Sequence, residues 1–514
     1  MSERAIVAEK IIRNTWSNFI RRIWEMSVLF VLTPYILSHV GLEKYGVWSI
    51  VGVLISYFGL LDLGVGASYV KYISEYYAGR KYKEINEIVC TGIVFYLIFS
   101  IIVITAAFFA MPILVKILNI PGYLEGEAKK VILLGIGLFC FSNIMGSFSS
   151  IQSGLQRMDI SVKVSIVAST VNIICVIFFL NKGYGLIGLI ASSICSFVVG
   201  GIINIIAAYK LFPQLSIRAV YVTKSAFKKV FNFGYQMQVM RLSDIILFQT
   251  DRVIIAVFFG IKYVGIYQIG AAVVNYAREI PLFLLSAILP AASEIHARQE
   301  KERMKKLYIR GSKYLFFITT PIMMFLVVAA SGIIRLWVGN GYEGARGITQ
   351  ILSVGYYANV VVGVAVIIAI GMGRLGIITR ASLLTLLSGI ILTVLFAKTI
   401  GFLGVAIATA IALLSGPVYF LKRFHALIEV GTYDYLKRIA IKPALSVLVS
   451  SCFYISLQNT TLVQSIGFKA CFFLGASVFC IVYVAGVVGC GYFDDYDKKL
   501  IFSRFEKYYK QKRR

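Results

Sequence analysis

About fourteen apolar stretches follow one another along this chain, joined by short polar segments. Each approaches the ~20 residues that an α-helix needs to cross a bilayer. Backbone polar groups must be satisfied internally in lipid, so such stretches form helices rather than open strands. With 59% hydrophobic and 15% charged residues, the 514-residue chain has no room for a large soluble domain. The sequence therefore predicts an all-α integral membrane protein with about 14 transmembrane helices.

The first half of the chain recurs in the second half at an offset of 219 residues. Gly41–Trp48, GLEKYGVW, returns as Gly260–Tyr267, GIKYVGIY. Six predicted spans separate matching points, so both copies enter the membrane from the same side. We therefore predict two parallel-repeat six-helix bundles, 1–210 and 211–425, and an extra helix pair with a basic tail in 426–514. In transporters, such bundles commonly face each other across a central site.

The distribution of Lys and Arg predicts the orientation of the chain, because these residues accumulate in cytoplasmic loops. Placing the N-terminus in the cytoplasm puts the two largest basic clusters, 298–313 and 498–514, on the cytoplasmic side together with the C-terminus. Basic loops beside anionic lipid headgroups then explain the net charge of +27. Membrane lipids are the predicted partners of these loops. A nucleic-acid partner is not predicted.

Ionisable residues inside the predicted spans are the candidate site residues, since charges in hydrocarbon are costly and usually line an interior or a water-filled path. They are Arg22 and Glu25 in the first span, Asp62 in the second, Arg241, Asp244, Asp251 and Arg252 in the seventh, and Arg278 in the eighth. The four in the seventh span fall on one helical stripe. Arg278 is followed directly by Glu279, and adjacent helical residues do not face one another.

Two interpretations of these charges are open. In the first, the four arginines bind an anionic substrate such as a phosphate group, whose oxygens match the guanidinium fork. The four acids, Glu25, Asp62, Asp244 and Asp251, would then bind the H+ or Na+ that couples transport. In the second, neighbouring opposite charges such as Arg241 and Asp244 neutralise each other and hold the helices together.

Signatures of catalysis are absent from the sequence. The eight cysteines fall in or at the ends of apolar spans without the close spacing of a metal or redox motif. The three histidines are scattered, and no glycine loop precedes a Lys and a Ser or Thr as in ATPases. The sequence predicts a transporter rather than an enzyme, with no cofactor apart from a coupling ion.

Several of these segments resemble the polysaccharide-exporter branch of the multidrug, oligosaccharidyl-lipid and polysaccharide exporter superfamily, which includes O-antigen and lipid II flippases. The resemblance covers nearly the whole chain. Its most recognisable parts are Gly41–Trp48 running into Tyr57–Gly66, then Ser74–Glu75, and Asp251–Arg252 followed by Gly260–Tyr267.

The resemblance implies a flippase that moves an undecaprenyl pyrophosphate-linked oligosaccharide from the inner to the outer leaflet of the bacterial cytoplasmic membrane by alternating access. It also implies a polysaccharide polymerase and glycosyltransferases as partners in cell-surface polysaccharide biosynthesis, and it does not identify the sugar. A multidrug or cation antiporter of the same superfamily is the alternative, because the acids nearly balance the arginines. A membrane-bound glycosyltransferase or polymerase would need a large external loop or catalytic acids.

Overall fold

The computed structural model describes the backbone of residues 3–59, 64–283, 285, 288–460 and 467–497; the side chains of 3–19 and 235–248 are outside this description. Within these ranges the regular structure is helical and no β-strand occurs. The predicted all-α class is therefore confirmed.

The helices form three groups along the chain. Those of the first repeat are α1 (Glu3–Phe58), α2 (Val65–Ala78), α3 (Tyr82–Ile117), α4 (Gly122–Gly154), α5 (Met158–Asn181) and α6 (Gly185–Leu211), followed by a short 3-10 helix, Ala219–Tyr221. Those of the second are α7 (Lys224–Phe259), α8 (Ile261–Leu282), α9 (Ile288–Ala297), α10 (Lys301–Trp337), α11 (Gly344–Val361), α12 (Gly363–Gly371), α13 (Leu375–Thr399) and α14 (Phe402–Ile428). The last are α15 (Thr432–Ile439), α16 (Ile441–Gln458) and α17 (Phe468–Gly489).

Eleven helical segments in the described part of the chain are long and apolar enough to cross a membrane. Large apolar side chains are exposed along them, as in α3, where Ile101 is 67% and Phe109 is 73% accessible. Extended apolar surface of this kind marks a membrane-facing protein. The membrane assignment is confirmed, and the count of fourteen spans stays a prediction.

Packing divides the chain into two compact units, Met1–Gln268 with Ala397–Val405, and Ile269–Phe396 with Ala406–Arg514. In the first unit, α7 packs against α1, α2 and α3. The first helix of the second repeat therefore belongs to the packing unit of the first repeat. The lobe boundaries drawn from the repeat remain a prediction.

The segment between α6 and α7 is attached to the start of α3. The Asn86 side-chain amide donates to the backbone oxygen of Gln214 at 3.0 Å, and its oxygen accepts from the Ser216 backbone N–H at 3.1 Å. Ser68 on α2 donates to the backbone oxygen of Val230 at 2.7 Å. Val230 is also part of a buried apolar cluster formed with Tyr69. These contacts place the beginning of α7 within the first unit.

The apolar segment 46–70 predicts a second span formed by one continuous helix, and this prediction is wrong. α1 ends at Phe58, and Gly64 has a left-handed backbone with φ 71° before α2 begins. A Cβ at Gly64 would overlap the backbone oxygen of Gly234, so glycine permits both the turn and the close approach. In the second repeat, α8 likewise ends at Leu282 before α9 begins at Ile288. Interrupted helices at corresponding positions in two repeats point to a binding region in transporters.

The C-terminal helix pair is attached to α10 by a buried charged cluster. Lys313 and Tyr314 on α10 donate to the two carboxylate oxygens of Asp497, which is 1% exposed. Lys313 also lies 3.7 Å from the Asp494 carboxylate. Burial by itself would raise the pKa of Asp497, but the hydrogen bonds from Lys313 and Tyr314 hold that pKa below its ordinary value.

We expect Asp497→Asn to loosen this attachment, because the Lys313 ammonium loses its nearest counter-charge. The free energy of unfolding should fall by about 3 kcal/mol, the lower end for a broken buried pair, since Asp494 remains close. The thiol of buried Cys471 on α17 should react faster with a maleimide. Asp495→Asn, two residues away and exposed, should change neither quantity.

The same contact predicts a dependence of stability on pH. The pKa of Asp497 is lower in the folded than in the unfolded chain, so its stabilisation is complete above the unfolded value of ~3.9 and is lost as the pH falls through the folded value. The protection of Cys471, taken as its labelling rate in the unfolded chain divided by its rate in the folded protein at the same pH, should therefore fall at acidic pH in the wild type. An equal fall in an Asp497→Asn protein would contradict this assignment.

Candidate functional site

Two glycines at corresponding positions of the repeat end the first apolar segment of each copy. Gly41 has φ 77° and ψ 171°, and Gly260 has φ 88° and ψ 171°. L-residues rarely adopt a positive φ of this kind, whereas glycine does so freely. The two copies thus share the same backbone geometry at this point, as the duplication predicts.

Immediately after these glycines, the two copies contact each other within the first unit. A Cβ at Gly46 would overlap the backbone oxygen of Ile261, and one at Gly265 would lie 2.7 Å from the backbone oxygen of Leu42. Leu42 and Ile261 correspond in the repeat, as do Gly46 and Gly265. The contact is therefore reciprocal, like the isologous interface of a two-fold dimer.

A hydrogen bond extends this contact by about one turn of helix. Ser49 donates to the side-chain oxygen of Gln268 at 3.3 Å, and the two residues are themselves separated by the repeat offset of 219. Because equivalent side chains meet only near a symmetry axis, the local two-fold axis that relates these two helix starts passes between Ser49 and Gln268.

The described end of α7 carries a polar cluster that also involves α1 and α8. Asp251 is 6% exposed and accepts a hydrogen bond from Tyr267 on α8 at 2.5 Å. Tyr57 on α1 and Thr250 on α7 share a hydrogen bond of 3.0 Å between their hydroxyl oxygens. A buried carboxylate is tolerated only when hydrogen-bonded or paired. Asp251 is accordingly held inside the unit by Tyr267.

Arg252 is the cation of this cluster. Its guanidinium donates to the side-chain oxygen of Gln249, while its Nε is buried without a hydrogen-bond partner among the described residues. A guanidinium has five N–H donors in a planar fork. Arg252 therefore has capacity to bind an anion beyond the contact with Gln249.

The structure adds two residues that the sequence did not single out, Tyr57 and Tyr267. Tyr267 closes the repeated motif at the position that Trp48 occupies in the first copy, and this difference between copies was a usable signal. Tyr57 lies in an ordinary aromatic-rich apolar stretch. Its contact with Thr250 depends on how α1 packs against α7, which no local pattern reveals.

Arg278 lies on α8 in the second unit. Its guanidinium carbon is 5.0 Å from the ring centre of Tyr356 on α11, and Tyr356 is 4% exposed. A cation within about 6 Å of an aromatic ring is attracted by the ring quadrupole. The ring therefore supports a half-buried arginine.

The first-span candidates have different surroundings. Glu25 accepts from Arg21 at 3.3 Å and from Ser165 on α5 at 3.1 Å, while Arg22 is exposed. Arg241 and Asp244 belong to α7, but their side chains lie outside the described residues, as does all of Asp62. Their predicted roles stay predictions.

A family model described as "Polysaccharide biosynthesis protein" matches residues 11–296, more than half of the chain. A Shigella flexneri protein named "Putative O-antigen transporter" is 22% identical over 377 residues, covering 72% of this chain and 87% of that protein. The family match includes both copies of the repeated glycine motif and the segment that contains Asp251 and Arg252.

Solved structures share the fold over almost the full length. The lipid II flippase MurJ in its inward closed conformation has a TM-score of 0.73 at 16% identity, covering 93% of this chain and 99% of MurJ. An inward-facing multidrug transporter of the MATE family has a TM-score of 0.63 at 15% identity, covering 81% of this chain and 94% of its own. At these identities the likeness concerns the fold.

Proposed function

The chain belongs to the polysaccharide biosynthesis protein family, and on that premise we propose that it is a flippase for a lipid-linked oligosaccharide of the undecaprenyl pyrophosphate type. It is a membrane transporter, not an enzyme. In this proposal it moves its cargo from the inner to the outer leaflet of the bacterial cytoplasmic membrane, with both termini cytoplasmic. The product would serve a polymerase of cell-surface polysaccharide biosynthesis, and glycosyltransferases would supply the substrate.

The observation that carries the proposal is the presence of supported arginines inside a membrane-embedded helical fold. Arg252 lies beside the buried Asp251–Tyr267 pair, and Arg278 lies over the ring of Tyr356. Ionisable groups within membrane segments are expensive and mark substrate or ion paths. A guanidinium group of either arginine suits a cargo that carries a pyrophosphate.

The remaining candidate residues are assigned by the sign of their charge. Arg22 and Arg241 are proposed to assist Arg252 and Arg278 in binding phosphate or acidic sugars. Glu25, Asp62, Asp244 and Asp251 are the proposed sites of a coupling H+ or Na+. Among the acids whose surroundings are described, Glu25 accepts hydrogen bonds from Arg21 and Ser165, and Asp251 from Tyr267.

Alternating access requires at least one contact that forms and breaks during each cycle. The reciprocal contact of Gly46 with Ile261 and of Gly265 with Leu42 is suited to this, since it joins corresponding helix starts through glycines and backbone oxygens. In the predicted topology it lies at the outer end. We propose that it must open for cargo release to the outer leaflet.

A crosslink across this contact tests the function and its mechanism together. Ser49→Cys with Gln268→Cys, in a background where the eight native cysteines are replaced by alanine, is joined by a short bis-methanethiosulfonate reagent. In proteoliposomes, the unjoined protein should move a fluorescent undecaprenyl pyrophosphate oligosaccharide between leaflets. The joined protein should not, and reduction should restore movement.

Each single-cysteine protein treated with the same reagent is the control and should retain full activity. Unimpaired movement in the joined protein would overturn the proposed opening at this contact. Failure of the unjoined protein to move any lipid-linked glycan, together with exchange of a cationic drug for protons, would replace the flippase with the antiporter.

A further inference from the structure

A cavity of about 440 Å³ with polar and apolar walls lies inside the first unit, among α1, α4, α5 and α6. Its volume falls within the ~300–1,000 Å³ of typical small-molecule sites. Much of its wall is hydroxyl-bearing; the serines are Ser142, Ser149, Ser153, Ser161, Ser165 and Ser196. In the described part of the chain, the residues proposed to bind phosphate or a coupling ion do not line this cavity, although Arg21 and Ser165, which contact Glu25, do.

The hydroxyl protons of all six serines are already engaged. Four donate to backbone oxygens: Ser142 to Phe139 at 2.7 Å, Ser149 to Gly146 at 3.0 Å, Ser153 to Ser149 at 3.4 Å and Ser196 to Ala168 at 2.6 Å. Ser161 donates to Gln152 at 2.9 Å and Ser165 to Glu25 at 3.1 Å. A hydroxyl that donates its only proton keeps its acceptor lone pairs. The wall therefore presents hydrogen-bond acceptors.

Asn204 is the one side-chain amide among the described lining residues, and a fully buried glutamine orients it. Gln152 is 0% exposed, and its amide nitrogen donates to the side-chain oxygen of Asn204 at 2.8 Å. Because the Asn204 oxygen is the acceptor in this bond, its NH2 group is available to donate. Arg21 adds further N–H groups to the same wall.

The charge at the cavity is balanced. Arg21 is the one charged residue among the described lining residues, and it pairs at 3.3 Å with Glu25, which lies beside the cavity. An anion would meet one arginine that already has a carboxylate partner, and a cation would meet a wall without a carboxylate. A neutral ligand with several O–H donors and a few acceptors fits this combination of groups.

We propose that this cavity binds a neutral sugar residue through its hydroxyl groups. The six serine oxygens accept from the sugar hydroxyls, while Asn204 and Arg21 donate to its oxygens. The proposal rests on the proposed function in one respect, namely that the sugar is part of the transported glycan. It goes beyond that function by placing a sugar subsite within one unit, apart from the arginines assigned to phosphate.

Saturation-transfer difference NMR on the full-length protein in nanodiscs tests the binding directly, with glucose, galactose, N-acetylglucosamine and rhamnose as probes. At least one should give a saturable signal in the wild type. Ala168→Leu, which fills the cavity, should abolish it. Ser149→Ala should weaken binding about threefold to tenfold, as expected for one lost hydrogen bond.

The chain provides a closely matched control. Ser150 donates to the same Gly146 oxygen at the same 3.0 Å as Ser149 but does not line the cavity. Ser150→Ala should therefore bind the sugar as the wild type does. Equal weakening by both variants would show a structural effect and overturn the proposal.

Other outcomes are equally decisive. Absence of signal from all four sugars, or a signal that Ala168→Leu leaves intact, would overturn the sugar site. Binding of Na+, but of neither K+ nor a sugar, would make the cavity a cation site instead. Proteoliposome transport distinguishes failure of the sugar subsite from failure of the flippase proposal. Sugar binding without lipid-linked transport would overturn only the flippase proposal. Transport that Ala168→Leu leaves unchanged would overturn only the subsite.

Discussion

Gly46→Ala should reduce the rate of lipid-linked oligosaccharide transport by about 5- to 150-fold without preventing membrane insertion. An added Cβ would overlap the backbone oxygen of Ile261, so the reciprocal contact could close only by displacing backbone. Overpacking of this kind costs ~1–3 kcal/mol, and a bias of that size on a conformational equilibrium is a factor of ~5–150. The measurement is the initial transport rate in proteoliposomes containing equal amounts of inserted protein.

The repeat provides both a second test and a control. Gly265→Ala should have a similar effect, because its Cβ would lie 2.7 Å from the backbone oxygen of Leu42. Gly52→Ala lies in the same helical segment as Gly46, with nothing within 4 Å of its added Cβ, and should transport normally. Normal transport by Gly46→Ala and Gly265→Ala would show that closure of this contact is not part of the cycle.

Arg278→Ala should reduce transport of a pyrophosphate-linked oligosaccharide by about 10- to 100-fold. Hydrogen bonds to charged groups contribute ~1.5–3 kcal/mol, and each ~1.4 kcal/mol is a tenfold change in binding. Arg278→Lys should retain part of the activity, since an ammonium keeps the charge but loses the planar fork that binds two oxygens at once. Transport rate against cargo concentration measures whether the loss is in binding.

Arg335→Ala is the matched control for this prediction. Arg335 also lies over an aromatic ring, 4.3 Å from the ring centre of Phe468, but it is exposed and was not among the candidate site residues. It should transport at the wild-type rate. Equal losses in Arg278→Ala and Arg335→Ala would assign Arg278 a structural role in packing against Tyr356.

Span periodicity and the repeat were readable from the sequence because both depend on local composition. Apolar stretches of membrane length predict helices wherever they occur, and the repeat offset aligns Gly41 with Gly260, two glycines that share a positive φ. The prediction of a continuous second span was wrong. Gly64 breaks it by packing against Gly234, about 170 residues away in the chain, and such a contact leaves no local pattern.

By itself the sequence determined the membrane class, the helical composition, the duplication and the identity of the charged residues, since these depend on side-chain chemistry and short-range spacing. Tertiary structure decided which groups meet. Tyr267 binds Asp251, Tyr356 supports Arg278, and Ser165 joins Glu25 at the edge of the serine-lined cavity. Those partners are separated by 16 to 140 residues or lie on helices whose rotation is set by packing, so only the folded chain shows what each charge faces.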